Sequence, residues 1–311
     1  MKPEIKNLPT ITVILPTLNG EDVIRDCLAS IKNQSYTKEK IKTIVVDNGS
    51  TDKTAQLISK NFPQTKLVRI QKNIGSAPAL NIAAKLANTE YILATNDDVT
   101  FEKNCLKNLV FEAESDSSIG IVTGKMMSFT KPHKFSIPGF KINHYLGYHP
   151  FDLKNIGKVR ECDWAVGACI LVKTNLLKKI GYFDPDYIFC GEEYDLSFRI
   201  RLLGLKIIYT PKAVFYHRFK RNLKPNQNAL FAHYRGKFRY MFKNGRLDHL
   251  LVFLPAQLIV SPILCFFLAR GQNISPIYKA FYWNLKNLKK TLKIRPKKNL
   301  DDSFNPKINL E

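Results

Sequence analysis

The chain has 311 residues, 45% of them hydrophobic, with 48 Lys+Arg against 26 Asp+Glu for a net charge of +22. Its apolar content is that of a globular protein, so a real core is expected. Six cysteines (Cys27, Cys105, Cys162, Cys169, Cys190 and Cys265) lie mostly in apolar patterns without CxxC spacing, which excludes a zinc ribbon or a disulfide framework and predicts buried, reduced thiols of a cytosolic protein.

The N-terminal stretch MKPEIKNLPTITVILP lacks a long apolar core before a small-residue cleavage site, so it is not read as a signal peptide; its apolar part is the first predicted strand. Four short, β-branched runs follow one another: ITVILP (11–16), KTIVVD (42–47), KLVRI (66–70) and YILAT (91–95). Helical patterns separate them at 21–33, with Val23, Cys27, Leu28 and Ile31 on one face, at 52–61, and at 77–88, with Leu80, Ala83, Ala84 and Ala87. This alternation predicts an α/β fold with a mostly parallel central sheet flanked by helices.

In such sheets ligands bind beyond the carboxyl ends of the strands. Every predicted strand here ends in small polar residues: Pro16-Thr17-Leu18-Asn19-Gly20, Asp47-Asn48-Gly49-Ser50-Thr51-Asp52, Asn73-Ile74-Gly75-Ser76 and Asn96-Asp97-Asp98. Any one of these is an ordinary turn; together they mark one rim. On that rim Asp47 can accept a hydrogen bond from a pyrimidine ring N–H, and the Gly75 segment allows close backbone approach. Asp97 and Asp98 can hold a divalent ion against a diphosphate. His217, at the end of the apolar strand 213–216, is either a further ligand or a structural histidine.

Residues 130–160 are irregular, with Pro132, Pro138, Gly139, Gly147, Pro150 and Gly157, and suit a substrate-facing loop. Their histidines (His133, His144, His149) lack metal-ligand spacing. An apolar strand at 168–172 and a short helix ending at Gly181 come next, then a helix over 192–203 with apolar stripes Leu196/Ile200/Leu203 and Tyr194/Phe198/Leu202. That helix opens with Glu192, Glu193 and Asp195. The macrodipole favours acids there in any case, yet the position also mounts a carboxylate on a rigid element.

From Lys212 onward there are 20 basic and 4 acidic residues, so +16 of the charge excess lies in the last third and calls for an anionic partner. LLVFLPAQLIVSPILCFFLA (250–269) is long enough to span a bilayer, although Pro255, Gln257, Ser261 and Pro262 interrupt it. Over 276–295, Ile277, Phe281, Leu285, Leu288 and Leu292 recur at helical spacing among Lys279, Lys286, Lys289, Lys290, Lys293 and Arg295. This reads as a basic amphipathic helix on an anionic membrane surface, the alternative being a helical hairpin packed on the domain. The expected organisation is an α/β domain over 1–220 in two halves, 1–123 and 124–220, a helical membrane-associating extension over 221–295 and a disordered tail over 296–311. The expected location is the cytoplasmic face of the membrane, peripherally bound, with 250–269 as a single span or re-entrant segment.

The stretches VILPTLNGEDVIRDCLASIKNQSY, VVDNGSTDKT, KNIGSAPALNIA, LATNDDVTF and VGACILVKTNLLKKIGYFDPDYIFCGEEYDLSFRIRLLGLKIIYTPKAVFYH, in this order over about 11–217, resemble the family-2 glycosyltransferases of GT-A fold, the rhamnosyltransferase-like branch in particular. The resemblance implies inverting transfer of a sugar from a UDP- or dTDP-sugar, dTDP-rhamnose among them, to a hydroxyl of a saccharide or lipid-linked saccharide in cell-surface glycan synthesis, with Mg²⁺ or Mn²⁺. It implies donor binding by Pro16, Thr17, Asn19, Asp47, Ser50, Asn73, Gly75, Asn81, Asn96 and Asp97, and metal binding by Asp98 and His217. By the same resemblance 1–220 is a catalytic domain, with donor half 1–123 and acceptor half 124–220, and Trp164 and Gly167 fall on the acceptor side. Glu193 occupies the place of the base, one methylene longer than the usual Asp, with Glu192 and Asp195 as alternatives.

Two other functions are weighed against this. A sugar-phosphate nucleotidyltransferase would need a basic, glycine-rich loop after the first strand, where PTLNGEDVIRD is acidic. A basic nucleic-acid-binding protein would need an aromatic-interleaved basic groove, whereas the charge here flanks apolar segments; no nucleic-acid partner is expected.

Overall fold

The computed structural model describes residues 8–129, 141–145, 156–218, 227–268 and 273–296. The chain begins with β1 (Ile11–Thr17), α1 (Ile24–Lys32), β2 (Ile41–Asp47), α2 (Thr54–Asn61), β3 (Lys66–Arg69), α3 (Ser76–Leu86) and β4 (Tyr91–Thr95). Then come β5 (Val99–Phe101), α4 (Cys105–Ala113), β6 (Ile119–Ser128), β7 (Arg160–Cys162), β8 (Cys169–Lys173), α5 (Thr174–Lys179), α6 (Glu192–Arg201) and β9 (Lys206–His217). The helices α7 (Gln227–Asn244), α8 (Leu247–Pro255), α9 (Ser261–Leu268), α10 (Ser275–Lys286) and α11 (Leu288–Lys293) complete it.

One mixed sheet runs in the order β3-β2-β1-β4-β8-β6-β9-β5, with β7 also paired to β9. The pairs β3-β2, β2-β1 and β1-β4 are parallel, as the strand–helix alternation predicts. β8 then runs antiparallel to β4 and β6, so the acceptor-side half is not a continuation of the parallel pattern. β1 and β4 lie in the sheet interior with helices over both faces, which is why Ile11, Val13, Ile14, Leu15, Ile92 and Leu93 are all fully buried. Pro16 lies beyond the last β1–β4 partner pair, Ile14 with Ala94, where a missing backbone N–H is tolerated.

β6 and the first half of β9 are absent from the sequence reading. They pair in parallel with register shifts, one where the partner of Gly124 is Thr210 and that of Lys125 is Val214. The skipped residues include Pro211, which cannot donate to a ladder. The shift re-aims the end of β9, so that His217 pairs with Val99 of β5 and with Ser128 of β6.

The expected stripe on α6 is corrected at one end: the helix stops at Arg201, and Leu203 is exposed while Leu196 and Ile200 are buried. His144 is described and stacks on Tyr240 and His249, whereas His133 and His149 lie outside the described residues. Among the described cysteines, Cys27, Cys105, Cys162 and Cys169 are buried free thiols and Cys190 is half-buried.

The C-terminal helices are joined to this sheet domain through α7. Arg239, fully buried, donates to both carboxylate oxygens of Asp184 and pairs with Asp186 at 2.9 Å. Lys243, nearly as buried, reaches Asp184 at 2.8 Å and Asp195 at 2.7 Å. Part of the C-terminal positive charge is therefore spent inside the protein. On α10 the expected membrane-facing stripe is corrected at its first end: Ile277 is buried and Phe281 lies 5.3 Å from Phe238 of α7, whereas Leu285 and Leu292 are exposed. The tail from 297 onward lies outside the described residues, and Arg295 is tied to the Gly245 carbonyl at 2.7 Å.

Candidate active site

The ends of β1, β2 and β4 bring Thr17, Asn19, Asp47, Ser50 and Asp97 onto one rim. At the end of β1, Pro16 is half-buried and the Thr17 hydroxyl donates to Asp97 Oδ2 at 2.7 Å. Asn19 takes a positive φ of 50° and exchanges bonds with the β2 loop: its N–H donates to Ser50 Oγ, and its side-chain oxygen accepts from Thr51 N–H, each at 2.9 Å. Asp47, fully buried at the end of β2, accepts the Ser50 N–H at 2.8 Å and the Arg69 guanidinium at 3.1 Å. A carboxylate oxygen has two acceptor sites, so Asp47 retains capacity for a ligand donor.

Asn48 was not singled out by the sequence. Its side chain donates to Asn73 Oδ1 (3.0 Å) and to the Gly75 carbonyl (3.2 Å), and accepts from Ile74 N–H (2.9 Å). It pins the 73–75 loop to β2; an Asn before Gly in a strand-end turn carries no signal that separates this job from turn propensity. Gly75, at φ 96°, faces protein: a Cβ there would lie 2.8 Å from Ile188 Cα. The close approach expected of a ligand is thus made by the 187–190 segment. Asn81 is engaged within the protein. Its amide donates to the Phe183 carbonyl (2.8 Å) and accepts from Phe183 N–H (2.9 Å), so it clasps the chain at Phe183 to α3.

The strongest juxtaposition is that of Asp98 with His217. Because Asp98 immediately precedes β5 and His217 ends β9, the antiparallel register brings them side by side, and Arg218 N–H donates to the Asp98 carbonyl at 2.9 Å. His217 Nε2 lies 3.4 Å from Asp98 Oδ1 and 3.3 Å from Asn96 Nδ2. Burial draws the imidazole below its usual pKa while Asp98 opposes the shift, which favours the neutral form that binds metals. Mg²⁺ takes oxygen ligands at about 2.0–2.1 Å, so donors this close can share one ion. Among the described residues no group of three or more His, Cys, Asp or Glu converges as a closed metal cage. Two protein donors with the remaining positions left to phosphate and water is the arrangement that suits Mg²⁺ or Mn²⁺ in a diphosphate site.

The start of α6 carries Glu192 and Glu193. Glu193 Oε2 accepts the Gly191 N–H at 3.0 Å. Burial, with the Glu192 charge beside it, pushes its carboxyl up to about 8. Gly167 packs against that carboxyl, a Cβ there lying 3.4 Å from Glu193 Cδ, and Trp164 meets the Tyr194 ring edge-on at 4.6 Å. Glu192 Oε1 accepts from Ser76 Oγ at 2.9 Å, while Oε2 is buried without a protein hydrogen bond; its carboxyl is raised too, by burial. Ser76, another residue the sequence reading passed over, thereby links the donor loop to α6.

Asp195 is removed from the candidate bases. It is fully buried and pairs with Arg199 (2.8 Å), Lys243 (2.7 Å) and Asn244 (3.3 Å). Although burial opposes ionisation, Arg199 and Lys243 hold it down at about 2, so it is a fixed anion. The loop before α6 is also gripped by α7: a Cβ on Gly236 would lie 2.5 Å from the Cys190 carbonyl oxygen.

A family model described as glycosyl transferase family 2 matches residues 12–181. The poly-beta-1,6-N-acetyl-D-glucosamine synthase of Staphylococcus epidermidis (strain RP62A) is 26% identical over 217 residues, covering 69% of this chain and 51% of that protein. Its Staphylococcus aureus (strain MSSA476) counterpart is 28% identical over 218 residues, covering 68% and 51%. The chain thus spans about half the length of the curated relatives it matches, and neither of them is a rhamnosyltransferase.

Among solved structures, a Pyrobaculum calidifontis mannosyltransferase in complex with GDP-Man and Mn²⁺ aligns with TM-score 0.58 at 18% identity, covering 94% of this chain and 86% of that one. GalNAc-T7 with UDP, GalNAc and Mn²⁺ gives 0.66 at 13% identity, covering 91% and 58%. S. aureus TarS 1-349 gives 0.57 at 20%, covering 91% and 81%. These likenesses establish the GT-A fold. With the family model spanning more than half of the sequence and its motifs gathered on one rim of that fold, the chain belongs to glycosyl transferase family 2.

Proposed function

We propose that this glycosyltransferase carries out an inverting transfer from a UDP- or dTDP-sugar to a hydroxyl of a saccharide or lipid-linked saccharide, with Mg²⁺ or Mn²⁺ held by Asp98 and His217. The observation that carries the reading is the approach of His217 Nε2 to within 3.4 Å of Asp98 Oδ1. Asp47 accepts from the nucleobase, Asn19 and Ser50 brace the loop around it, and Asp97, oriented by Thr17, faces the donor sugar.

Glu193 takes the proton of the acceptor hydroxyl as its oxygen bonds to the anomeric carbon, and the bond to the diphosphate oxygen breaks on the opposite face with its electron pair leaving on that oxygen. When bound, the divalent ion offsets the negative charge on the departing diphosphate. No covalent sugar–protein intermediate is needed, so the anomeric centre inverts. The relatives named as poly-beta-1,6-N-acetyl-D-glucosamine synthases place N-acetylglucosamine first among donor sugars to test, ahead of rhamnose. The test is a panel of UDP-, dTDP- and GDP-sugars with Mn²⁺, read by mass spectrometry. Transfer or slow hydrolysis is expected from one donor class and lost in Asp98→Ala and Glu193→Gln. Unchanged turnover in both variants would overturn the assignment.

A further inference from the structure

The segment 247–267 has two faces. His249, Phe253 and Gln257, four residues apart, are buried. Leu247, Leu251, Ile259, Ile263 and Phe267, on the same spacing, are 50% exposed or more, with Phe267 at 74%. Beside them, α10 and α11 expose Tyr278, Tyr282, Leu285 and Leu292. Tyr278 joins the two parts, its hydroxyl donating to the Leu258 carbonyl at 3.1 Å, and an exposed apolar face spread over both is a docking surface, not scattered exposure. Its rim names the occupant: Lys279, Lys286, Lys289 and Lys293 are exposed around the α10–α11 part, and Lys286 Nζ sits 4.8 Å over the Tyr282 ring. Exposed aliphatics edged by lysines, with tyrosines at the boundary, match an anionic lipid surface.

The length of the apolar stretch would allow a crossing: Leu247–Leu264 is apolar enough over 18 residues. The inner stripe argues against one. Lys237 of α7 donates to Gln257 Oε1 at 2.9 Å, and the Ser261 hydroxyl donates to the same oxygen at 3.3 Å. Phe253 packs on Phe238 at 5.7 Å, five residues before the buried cation Lys243 and next to Arg239 in the chain. A helix surrounded by lipid would have to leave these partners behind or draw the ion pairs of α7 into hydrocarbon. A short π-helical stretch over Ala256–Val260 joins α8 to α9.

We propose that this surface inserts into one leaflet of an anionic bilayer and does not cross it. The inference does not depend on which sugar is transferred. Its test uses the full chain with preformed vesicles, either pure phosphatidylcholine or one-third phosphatidylglycerol, separated by flotation. Strong co-flotation is expected only with the anionic vesicles. Replacing Lys286, Lys289 and Lys293 by Gln should weaken partitioning on the order of a hundredfold, about fivefold per charge. The pair Leu251→Glu and Phe267→Glu should abolish flotation while nucleotide binding, followed by thermal shift with UDP and Mn²⁺, is retained as the check on folding.

Cell membranes carrying the chain should release it into alkaline carbonate; retention in the pellet would mean a span and overturn the proposal. So would flotation indifferent to Leu251→Glu and Phe267→Glu. A dimer in light scattering that Leu251→Glu splits would assign the face to a second copy and overturn it too.

Discussion

Replacing Lys243 with Met removes one cation from two buried carboxylates at nearly constant volume. Its Nζ lies 2.8 Å from Asp184 and 2.7 Å from Asp195, and the side chain is 3% exposed. At an effective dielectric of about 20, each contact is worth roughly 6 kcal/mol of gross attraction, most of it offset by desolvation. Removing one member of a buried pair costs about 3–5 kcal/mol because the other charge stays buried. Asp195 keeps Arg199 and Asn244, and Asp184 keeps Arg239, so the low end, about 3 kcal/mol, is expected. Urea unfolding at neutral pH measures it.

The pH dependence gives a second handle. Arg199 and Lys243 hold the folded Asp195 carboxyl at about 2, below its unfolded value. The stability this contributes is present above the unfolded value and is lost as pH falls through about 4 to 2. The deficit of Lys243→Met should therefore be full at neutral pH and shrink over that window. Because Asp195 shares α6 with Glu193, kcat should fall as well and Lys243→Arg should restore part of it. A variant within 1 kcal/mol of the parent at neutral pH, or a deficit independent of pH, would refute this account of the cluster.

Glu193→Gln should lower kcat by about 10²–10⁴, the usual contribution of a general base. With Glu193 intact, kcat/KM should rise with pH and level off above about 8, since only the ionised carboxylate accepts the proton; a profile flat from pH 6 to 9 would exclude it as the base. Chelation with EDTA should abolish transfer and Mn²⁺ should restore it, while Asp98→Ala should weaken Mn²⁺ binding in the presence of UDP at least tenfold by calorimetry. Asn81→Ala should destabilise by about 2 kcal/mol, leaving Phe183 N–H and C=O unpaired, yet leave the donor KM within twofold; a large rise in KM would return Asn81 to the donor site.

β1 to β4 and their polar ends are legible in the sequence because buried parallel strands are uninterrupted apolar runs that stop where the rim begins. β6 is not, since Gly120 and Gly124 break its pattern, and β5 is three residues long. The three acids Glu192, Glu193 and Asp195 look alike in sequence. What separates them is the cations: Arg199 and Lys243 reach Asp195, whereas Glu193 meets a backbone N–H and a second carboxylate. Lys243 itself lies among many basic residues with nothing local to mark it as buried. On α10 the helical period is clear, but the inward side, Ile277 with Ala280, is chosen by α7, not by the period.

The family match ends at residue 181, before α6 begins, whereas Asp184 and Asp195 find their counter-charges on α7. Gly236, where that same helix meets the Cys190 carbonyl, leaves no room for a side chain between them. The stretch that the family model covers is thus smaller than the unit that must fold together. Grafting this sheet onto a different C-terminal region would keep the strand-end rim but take Arg239 and Lys243 away from the buried carboxylates of Asp184 and Asp195, so a swap has to move α6 and α7 as one piece.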